Sequence, residues 1–392
     1  MPSPYRSDID GLRAISALSV VFFHAGVPGF RGGFLGVDVF FVISGYLITQ
    51  VLMTPGEQSL WRQLAQFYLR RCRRILPALF ALLFVVTPIA AAMLRPADLR
   101  NYGRYLTFTS LFLTNVAAWT DHVRGWTPLI HLWSIGVEEQ FYLVYPLALG
   151  LAVGARSVCI ILLAAMASFA LCVWASYAAP LANFYLTPSR AWELLCGAAL
   201  AMSAARIRSR ISSELLAWIS VLVIGVAIYA YSPATRYPGI CAMPVCVAAG
   251  ALLATGHDQE TTVARLLSFP PLVLTGLISY SLYLWHVPIF ALLYYRTGGS
   301  ANGLHTALLI CAIWLLAFAS WAMVERPIRS RRWLGSNRRF LIAAVVANVG
   351  LTLVAAAVLP ASAIGVLPIL ALALPLITTG VIDAAAQQRL TH

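Results

Sequence analysis

Long apolar runs recur along this chain, and only short loops separate them. Because backbone polar groups must be satisfied within the hydrocarbon of a bilayer, apolar runs of about this length are expected to be helices. Ten such runs are present, and an eleventh, at about 340–358, follows them. The sequence therefore predicts an all-α polytopic membrane protein with about ten core transmembrane helices plus one or two C-terminal ones. The ten runs lie at roughly 11–27, 34–53, 75–94, 135–151, 157–177, 190–205, 214–231, 237–255, 273–295 and 303–323.

Composition agrees with that class, because 60% of the 392 residues are hydrophobic and only 10% are charged. The net charge is +13, and all 27 basic residues are arginines. They cluster between apolar runs, which favours topology signals over nucleic-acid binding. The seven cysteines are scattered, and neither a metal motif nor a phosphate-binding loop is visible, so no metal is expected. The N-terminus lacks a cleavable-signal pattern, so the first helix is expected to remain as an anchor.

Two segments leave the number of spans open. The run 363–380 is interrupted by Pro368 and Pro375, and the segment 104–119 is short and polar for a span. If the N-terminus is cytoplasmic and 104–119 does not cross, 18 arginines fall inside and eight outside, as the positive-inside rule prefers. A crossing would invert every later loop. We therefore expect 104–119 to be an interfacial or re-entrant helix on the extracytoplasmic side.

Arg13 and His24 stand eleven positions apart in the first run. Eleven residues at about 100° each come close to three full turns, so both side chains lie on one helix face, about 16 Å apart along the axis. Ionisable residues in a spanning helix are costly and usually face a cavity. The pair predicts a cation that holds an anionic group at one membrane surface and a titratable base set well inside.

Four arginines stand just before the third run. They can be a topology signal that contacts lipid headgroups. Arginine also forms bidentate hydrogen bonds with phosphate, so a cluster beside Arg13 favours a site for a phosphorylated cofactor. The cluster consists of Arg70, Arg71, Arg73 and Arg74.

The second run carries Asp38, Ser44 and Gly45. Asp38 stands near one end of its helix, where a carboxylate can simply be solvated. Ser44 and Gly45 are small enough to permit close helix packing. A functional carboxylate and a packing face are therefore both compatible with this run.

The segment HLWSIGVEEQFYLVYP opens the fourth run with His131, Ser134, Glu138 and Glu139. An aromatic and acidic belt at the membrane interface is one interpretation. Uncompensated carboxylates in a spanning helix are expensive, which favours a functional role instead. Adjacent carboxylates point about 100° apart, so at most one is expected to face a given partner.

Two later motifs complete the candidates. SYSLYLWHVPI places His286 in the ninth run beside Pro288, and a histidine there can be purely structural. MVERPIR places Glu325 at the end of the tenth run, where Arg326, Arg329 or the arginines after the second run could pair with it.

In their order along residues 5–330, these segments resemble the membrane acyltransferase-3 family, whose members O-acetylate surface polysaccharides. The matching pieces are IDGLRAISALSVVFFHAG, GVDVFFVISGYLIT, FYLRRCRRILPA, HLWSIGVEEQFYLVYP, FYLTPSRAWELLCGA, ISYSLYLWHVPIF and VERPIR. The resemblance implies residues 1–330 as a membrane acyltransferase domain in a bacterial cytoplasmic membrane. Residues 331–392 are expected to add one or two helices and a short tail, in place of the soluble esterase-like domain of longer members. Whether a separate periplasmic protein acts as a partner is left open by the resemblance.

The resemblance also implies the chemistry. Acyl-CoA, usually acetyl-CoA, binds from the cytoplasm, and the acyl group reaches a hydroxyl of a glycan or glycolipid across the membrane. Arg13 and the Arg70–Arg74 cluster match residues associated with the cofactor's phosphates, His24 matches a catalytic histidine, and Glu325 matches a functionally important glutamate. Asp38 is a further catalytic candidate, because Asp38, Glu138 or Glu139 could orient His24 or bind sugar hydroxyls. Candidates for the acceptor site are His131, Ser134, Glu138, Glu139 and His286.

His24 suits a general base on the acceptor hydroxyl, since neutral imidazole takes up protons near physiological pH. A transient acyl-histidine is the alternative. A rival function is a transporter or flippase of an anionic lipid-linked sugar, which would also use arginines at one mouth. That rival predicts inverted-repeat symmetry, and none is visible in the sequence.

Overall fold

The computed structural model describes residues 5–54, 59–120, 127–151, 156–203, 209–256, 261–298 and 303–358, and every regular element in these ranges is helical. Short 3₁₀ turns precede three of the helices, and a π-helical turn, Trp321–Glu325, follows another. The helices are α1 Ser7–His24, α2 Gly36–Met53, α3 Leu60–Met93, α4 Pro96–Ser110, α5 Thr114–Thr120, α6 Trp133–Leu151, α7 Arg156–Ala178, α8 Pro180–Tyr185, α9 Thr187–Met202, α10 Arg210–Ala230, α11 Met243–Thr255, α12 Thr262–Leu267, α13 Pro270–Leu277, α14 Ser279–Thr297, α15 Gly303–Ser320, α16 Arg326–Arg329 and α17 Asn337–Val358.

The architecture is that of a helical polytopic membrane protein. Six helical segments of the described chain are long and apolar enough to cross a bilayer, and a seventh is possible if α13 and α14, which meet at a bend of 67°, form one broken span. The six are Gly33–Met53, Leu60–Met93, Val158–Ala178, Arg210–Ala230, Gly303–Arg329 and Asn337–Ala357. The predicted helices are present, but the predicted count of about ten spans stays a prediction.

Some of the predicted spans that are not among these six candidates are helices with ionisable side chains inside the protein. The runs predicted at 11–27, 135–151 and 190–205 coincide with α1, α6 and α9. Each of these helices holds two or more ionisable side chains within or beside its apolar stretch. Their polar residues face other helices, so these helices are the ones from which a functional site can be built.

The segment 104–119 is broken in the middle. It contains the end of α4 and most of α5, and Phe112 between them has a left-handed φ of 56°. The side-chain amide of Gln140 donates to the Phe112 carbonyl at 3.1 Å, which places the turn against α6, about two helical turns from its start. This geometry suits a segment that enters and turns back. Its side of the membrane stays a prediction, and the run 363–380 lies outside the described residues.

Glycines bring the site helices into backbone contact. A side chain at Gly45 would collide with the backbone of Leu194, and one at Gly197 with the backbone of Val42, so α2 and α9 touch directly. The same relation holds between α1 and α13, where Gly276 lies against the Asp10 backbone. The packing role predicted for Gly45 is confirmed. Close packing of this kind fixes the depth at which polar side chains on these helices meet.

Candidate functional site

A cavity lined by three arginines lies between α1, α2, α3, α6 and α14. We call it the arginine cavity, and the empty space within it, counted to its open mouth, is about 770 Å³. Its wall mixes apolar side chains with serines, tyrosines and one carboxylate. The lining residues are Arg13, Val37, Phe40, Phe41, Ile43, Ser44, Leu47, Arg71, Arg74, Ile75, Ser134, Ile135, Glu138, Tyr142, Ser279, Tyr280 and Tyr283.

Arg13 is held at this cavity by two neighbours. Its Nη1 donates to Asp10 Oδ1 at 3.1 Å, one helical turn earlier, and its Nη2 donates to Ser279 Oγ at 2.9 Å. Ser279 opens α14 directly after the bend from α13, which itself packs on α1. A guanidinium has five N–H donors, so most of the hydrogen-bonding capacity of Arg13 is left over for a ligand.

Arg71 and Arg74 reach the same cavity from one face of α3. The Arg71 guanidinium lies over the ring of Tyr142 at 5.0 Å from its centroid. Arg74 makes no hydrogen bond or ion pair with any described residue. The carboxylates of Glu138, Glu139 and Glu325 oppose its charge only at longer range. An arginine without a direct partner in a partly buried wall is well suited to binding an anion from outside the protein.

The other two arginines of the predicted cluster do not join them. Arg70 is exposed, and Arg73 is buried on another face of α3. Arg73 Nη2 donates to the carbonyls of Leu334, Gly335 and Ser336 at 2.9 to 3.3 Å. The expectation of four arginines converging on one ligand is therefore wrong, because residues at successive positions of a helix face different directions.

Glu325 belongs to the arginine side of the site. It ends the π-helical turn, and π turns are frequent at functional sites. Its Oε2 accepts from Ser281 Oγ at 3.3 Å and its Oε1 pairs with Arg329 at 3.4 Å, which confirms one of the partners predicted for it. Glu325 is only 1% exposed. Its described contacts do not include His24.

Glu138 also faces the arginines. Its Oε1 accepts a hydrogen bond from Ser44 Oγ at 2.8 Å, and both residues line the arginine cavity. Glu139 is not among the lining residues, and its buried Oε1 has no hydrogen-bond partner within the described chain. One of two adjacent carboxylates faces the cavity, as predicted. The structure thus places Glu138 with the arginines rather than in a separate acceptor site.

A pair of hydroxyl groups lies in the cavity wall, and one of them stands a helical turn beyond Ser279 on α14. Ser134 Oγ and the Tyr283 hydroxyl lie 2.7 Å apart, and the Tyr283 hydroxyl donates to the backbone carbonyl of His131 at 2.6 Å. Since Tyr283 has a single proton to donate, Ser134 must be the donor in the first of these bonds. Ser279, Tyr283 and His286 stand at positions i, i+4 and i+7 of α14. That spacing, visible in the sequence, would have revealed Ser279 and Tyr283, which the motif analysis missed.

Three histidines meet directly beyond Tyr283. Their rings are close in pairs: His24 and His286 have centroids 5.0 Å apart, and His131 and His286 have centroids 5.4 Å apart. His286 and His131 are buried, whereas His24, at the end of α1, is exposed. We call these residues the histidine cluster. Arg13 and His24 both contact α14, which confirms that they share one face of α1.

Asp38 is committed to a different group. It lies 3.1 Å from Arg190 Nη2, and Arg190 Nη1 lies 3.1 Å from Glu193. All three residues are almost completely buried, and the Arg190 guanidinium is also flanked by the ring of Trp133. Asp38 makes no described contact with His24, so it cannot be the group that orients it. Arg190 could have been recognised in the sequence, because it stands three positions before Glu193 in the otherwise apolar α9.

Comparison with known proteins identifies the chain as a member of the acyltransferase-3 family. The family model, described as an acyltransferase domain, matches residues 6–325. The match covers most of the chain, and an acyltransferase domain does not favour a transporter. No solved structure matches it significantly.

Named relatives come from several bacteria. The chain is 30% identical over 365 residues to the putative peptidoglycan O-acetyltransferase YrhL of Bacillus subtilis, covering 86% of this chain and 57% of that protein. It is 30% identical over 361 residues to the peptidoglycan O-acetyltransferase OatA of Listeria monocytogenes, covering 86% and 58%. For the O-acetyltransferase OatA of Staphylococcus aureus the identity is 28%, covering 84% and 58%. The chain thus spans less than two thirds of the length of these relatives.

Proposed function

We propose that this acyltransferase moves an acetyl group from acetyl-CoA, bound in the arginine cavity, to a hydroxyl of a cell-wall glycan at the histidine cluster. The observation that carries the proposal is the continuity of the site. Arg13 contacts Ser279 in the cavity wall, Tyr283 lines the same cavity one turn further along α14, and its ring lies 5.4 Å from the ring of His286. A donor bound by its anionic end would thus point its reactive end toward His24.

The arginines suit the phosphates of coenzyme A. Arg13, Arg71 and Arg74 come from two helices and surround one volume, so together they can bind several phosphoryl oxygens. Exposed surface arginines would be screened by salt, whereas groups in a partly buried wall are screened much less. Glu325, through its charge, would hold Arg74 at the cavity without taking all of its donors.

The wall between the two ends suits a pantetheine arm. It is largely apolar, with the Ser44–Glu138 pair and the Ser134–Tyr283 pair as polar points. The amide N–H groups of the arm need acceptors in such a wall, and the Glu138 carboxylate is an acceptor. The length of the arm accounts for the roughly 16 Å between Arg13 and His24 along α1.

His24 is the proposed general base. It takes the proton of the acceptor hydroxyl as that oxygen attacks the thioester carbonyl carbon. The C–S bond then breaks, the ester forms, and the coenzyme A thiolate leaves and is protonated. The exposure of His24, in contrast to His131 and His286, gives an acceptor access to its ring. A transient acyl-histidine would use the same ring as a nucleophile.

The acceptor class is proposed from the relatives, two of which are named for peptidoglycan. We place the acceptor on the extracytoplasmic side, because His24 ends α1 about 16 Å along its axis from Arg13, and arginine clusters favour the cytoplasm. Lipopolysaccharide and exopolysaccharide sugars are the alternative acceptors. In this proposal the chain is a multi-pass protein of the bacterial cytoplasmic membrane and is surrounded by membrane lipid.

The test uses the purified full chain in lipid vesicles with radiolabelled acetyl-CoA. Candidate acceptors are a peptidoglycan disaccharide and a lipopolysaccharide core sugar, with water alone as the blank. We expect ester formation on the peptidoglycan fragment and saturable dependence on acetyl-CoA. Transfer only to the lipopolysaccharide sugar would overturn the acceptor class, and a lack of acetyl-CoA consumption with every acceptor would overturn the reaction.

A quench experiment separates the two mechanisms. Acetyl-CoA is added without an acceptor, the reaction is stopped in acid, and the protein is digested for mass spectrometry. Direct transfer predicts no acetyl group on the peptide that contains His24. Stoichiometric acetylation of that peptide would replace the general-base mechanism by the acyl-histidine mechanism.

A further inference from the structure

Backbone carbonyls determine where the protons sit in the histidine cluster. His24 Nδ1 lies 2.9 Å from the carbonyl oxygen of Val20, one turn earlier in α1. His286 Nδ1 lies 2.7 Å from the carbonyl oxygen of Tyr283, one turn earlier in α14. A carbonyl oxygen can only accept, so Nδ1 carries the proton in both rings. Each ring in its neutral form then has a lone pair on Nε2.

The third contact fits this arrangement and no other neutral one. His286 Nε2 lies 3.3 Å from His24 Nδ1. With the protons assigned by the carbonyls, His286 Nε2 is the acceptor and His24 Nδ1–H is a donor shared between it and Val20. The opposite assignment would set a ring lone pair of His286 against the Tyr283 carbonyl. The result leaves His24 Nε2 unprotonated, which is the state that a base requires.

His286 is itself held firmly. It has no exposed surface, and its ring packs against those of His131 and Tyr283. His131 is in turn fixed, because its Nε2 donates to the Leu284 carbonyl at 3.1 Å. The acceptor lone pair therefore has a fixed direction, and only the exposed His24 is free to meet a substrate.

We propose that His286 is a positioning residue, which directs its Nε2 lone pair at His24 Nδ1–H and so keeps His24 Nε2 ready as the base. This inference rests on the proposed function of His24. When His24 Nε2 takes the proton of the acceptor hydroxyl, the ring becomes a cation whose Nδ1–H still points at an acceptor. His286 stays neutral and keeps its own proton on Tyr283. It performs for His24 what a carboxylate performs for the histidine of a serine-protease triad.

The first test compares two replacements of similar size, His286→Gln and His286→Leu, in the purified full chain. The glutamine carbonyl can accept from His24 Nδ1–H, and leucine cannot. We expect His286→Leu to lower kcat by about 100-fold, in the range typical for loss of general-base catalysis, with the KM for acetyl-CoA unchanged. We expect His286→Gln to recover about 10-fold of that loss. The matched control is His305→Leu, at an exposed histidine of α15, with normal kinetics.

The kinetic outcomes that would overturn the proposal are distinct. Wild-type kcat in His286→Leu would remove His286 from the mechanism. Equal losses in the glutamine and leucine variants, with equally lowered thermal unfolding temperatures, would make its role one of packing only.

The second test reads the protons directly and does not depend on turnover. The protein is labelled with ¹⁵N-histidine and studied by NMR in bilayers well above pH about 6.5, the ordinary histidine value. The His24→Ala and His286→Gln spectra assign the two rings. We expect protonated Nδ1 and unprotonated Nε2 on both. A protonated Nε2 on His286 overturns the inference, even if transfer is normal. If His24→Ala retains transfer, the proposed function fails instead, while this measurement still stands.

Discussion

The arginine cavity and the histidine cluster lie about three helical turns apart along one face of α1, and they are built on opposite principles. In the arginine cavity, charges are left with unused donors: Arg13 uses two, and Arg74 has no direct partner among the described residues. In the histidine cluster, backbone carbonyls and a neighbouring ring satisfy both nitrogens of His286 and one of His24. The arginine cavity has donors available for an anionic ligand. In the histidine cluster, hydrogen bonds within the protein determine which ring nitrogens carry protons.

The two regions show two ways in which a membrane interior can hold ionisable groups. An unpaired charge has an unfavourable desolvation free energy in that environment. A site with unpaired arginine side chains is therefore expected to bind an anion during function. A neutral histidine chain carries no such penalty at rest. A third region, Asp38 with Arg190 and Glu193, pairs its charges internally and is almost completely buried. We regard it as structural for the α2–α9 contact.

The largest expected effect comes from a substitution of His24. His24→Ala should lower kcat by about 100-fold or more, because it removes the base, while leaving the KM for acetyl-CoA unchanged. The measurement is steady-state transfer by purified protein in vesicles, with circular dichroism to confirm the helical fold. Wild-type-like transfer would show that the histidine cluster is not where chemistry occurs. A raised KM with normal kcat would place His24 with the donor instead.

Arg74→Gln sharpens the other end. Losing a charge-assisted hydrogen bond to phosphate costs about 1.5–3 kcal/mol, so we expect the KM for acetyl-CoA to rise about 10-fold or more. The KM for the acceptor should not change. Arg70→Gln is the matched control, because it removes the same charge from an exposed position four residues earlier. If both variants raise the KM equally, general attraction rather than the cavity binds the donor.

Arg73→Gln tests whether adjacent arginines really have different roles. Arg73 holds the carbonyls before α17 and stacks on Phe340 at 4.5 Å, so its loss should cost about 2 kcal/mol of stability. We expect a lower thermal unfolding temperature and an unchanged KM for acetyl-CoA. A raised KM at normal stability would return Arg73 to the donor site, where the sequence pattern had placed it.

These arginines also mark what sequence could predict. Helical geometry placed Arg13 and His24 on one face, and both do contact α14. The same geometry, applied to Arg71 and Arg73, would have separated them, whereas a count of charges grouped them. The contacts of His24 with His286 and of Asp38 with Arg190 join helices far apart in sequence. No local pattern specifies such pairs, because they depend on how the helices pack.

The substitutions with the smallest expected effect are single cysteines, which should leave activity intact. They test whether the arginine cavity and the histidine cluster face opposite sides of the membrane. Single cysteines replace exposed residues in a background without the seven native cysteines. The positions are Pro28 beyond α1, Thr120 directly after the segment 104–119, and Arg70 and Ser209 on the predicted cytoplasmic side. We expect a membrane-impermeant thiol reagent to label the first two in intact cells, and all four after permeabilisation. The seven-cysteine-free parent must remain unlabelled and active. Labelling at Pro28 and Ser209, with protection at Thr120, would mean that 104–119 crosses. Every later span would then be inverted, and α14 could not run beside α1 from Arg13 to His24 as the hydrogen bonds require. That outcome would contradict both ends of the site together.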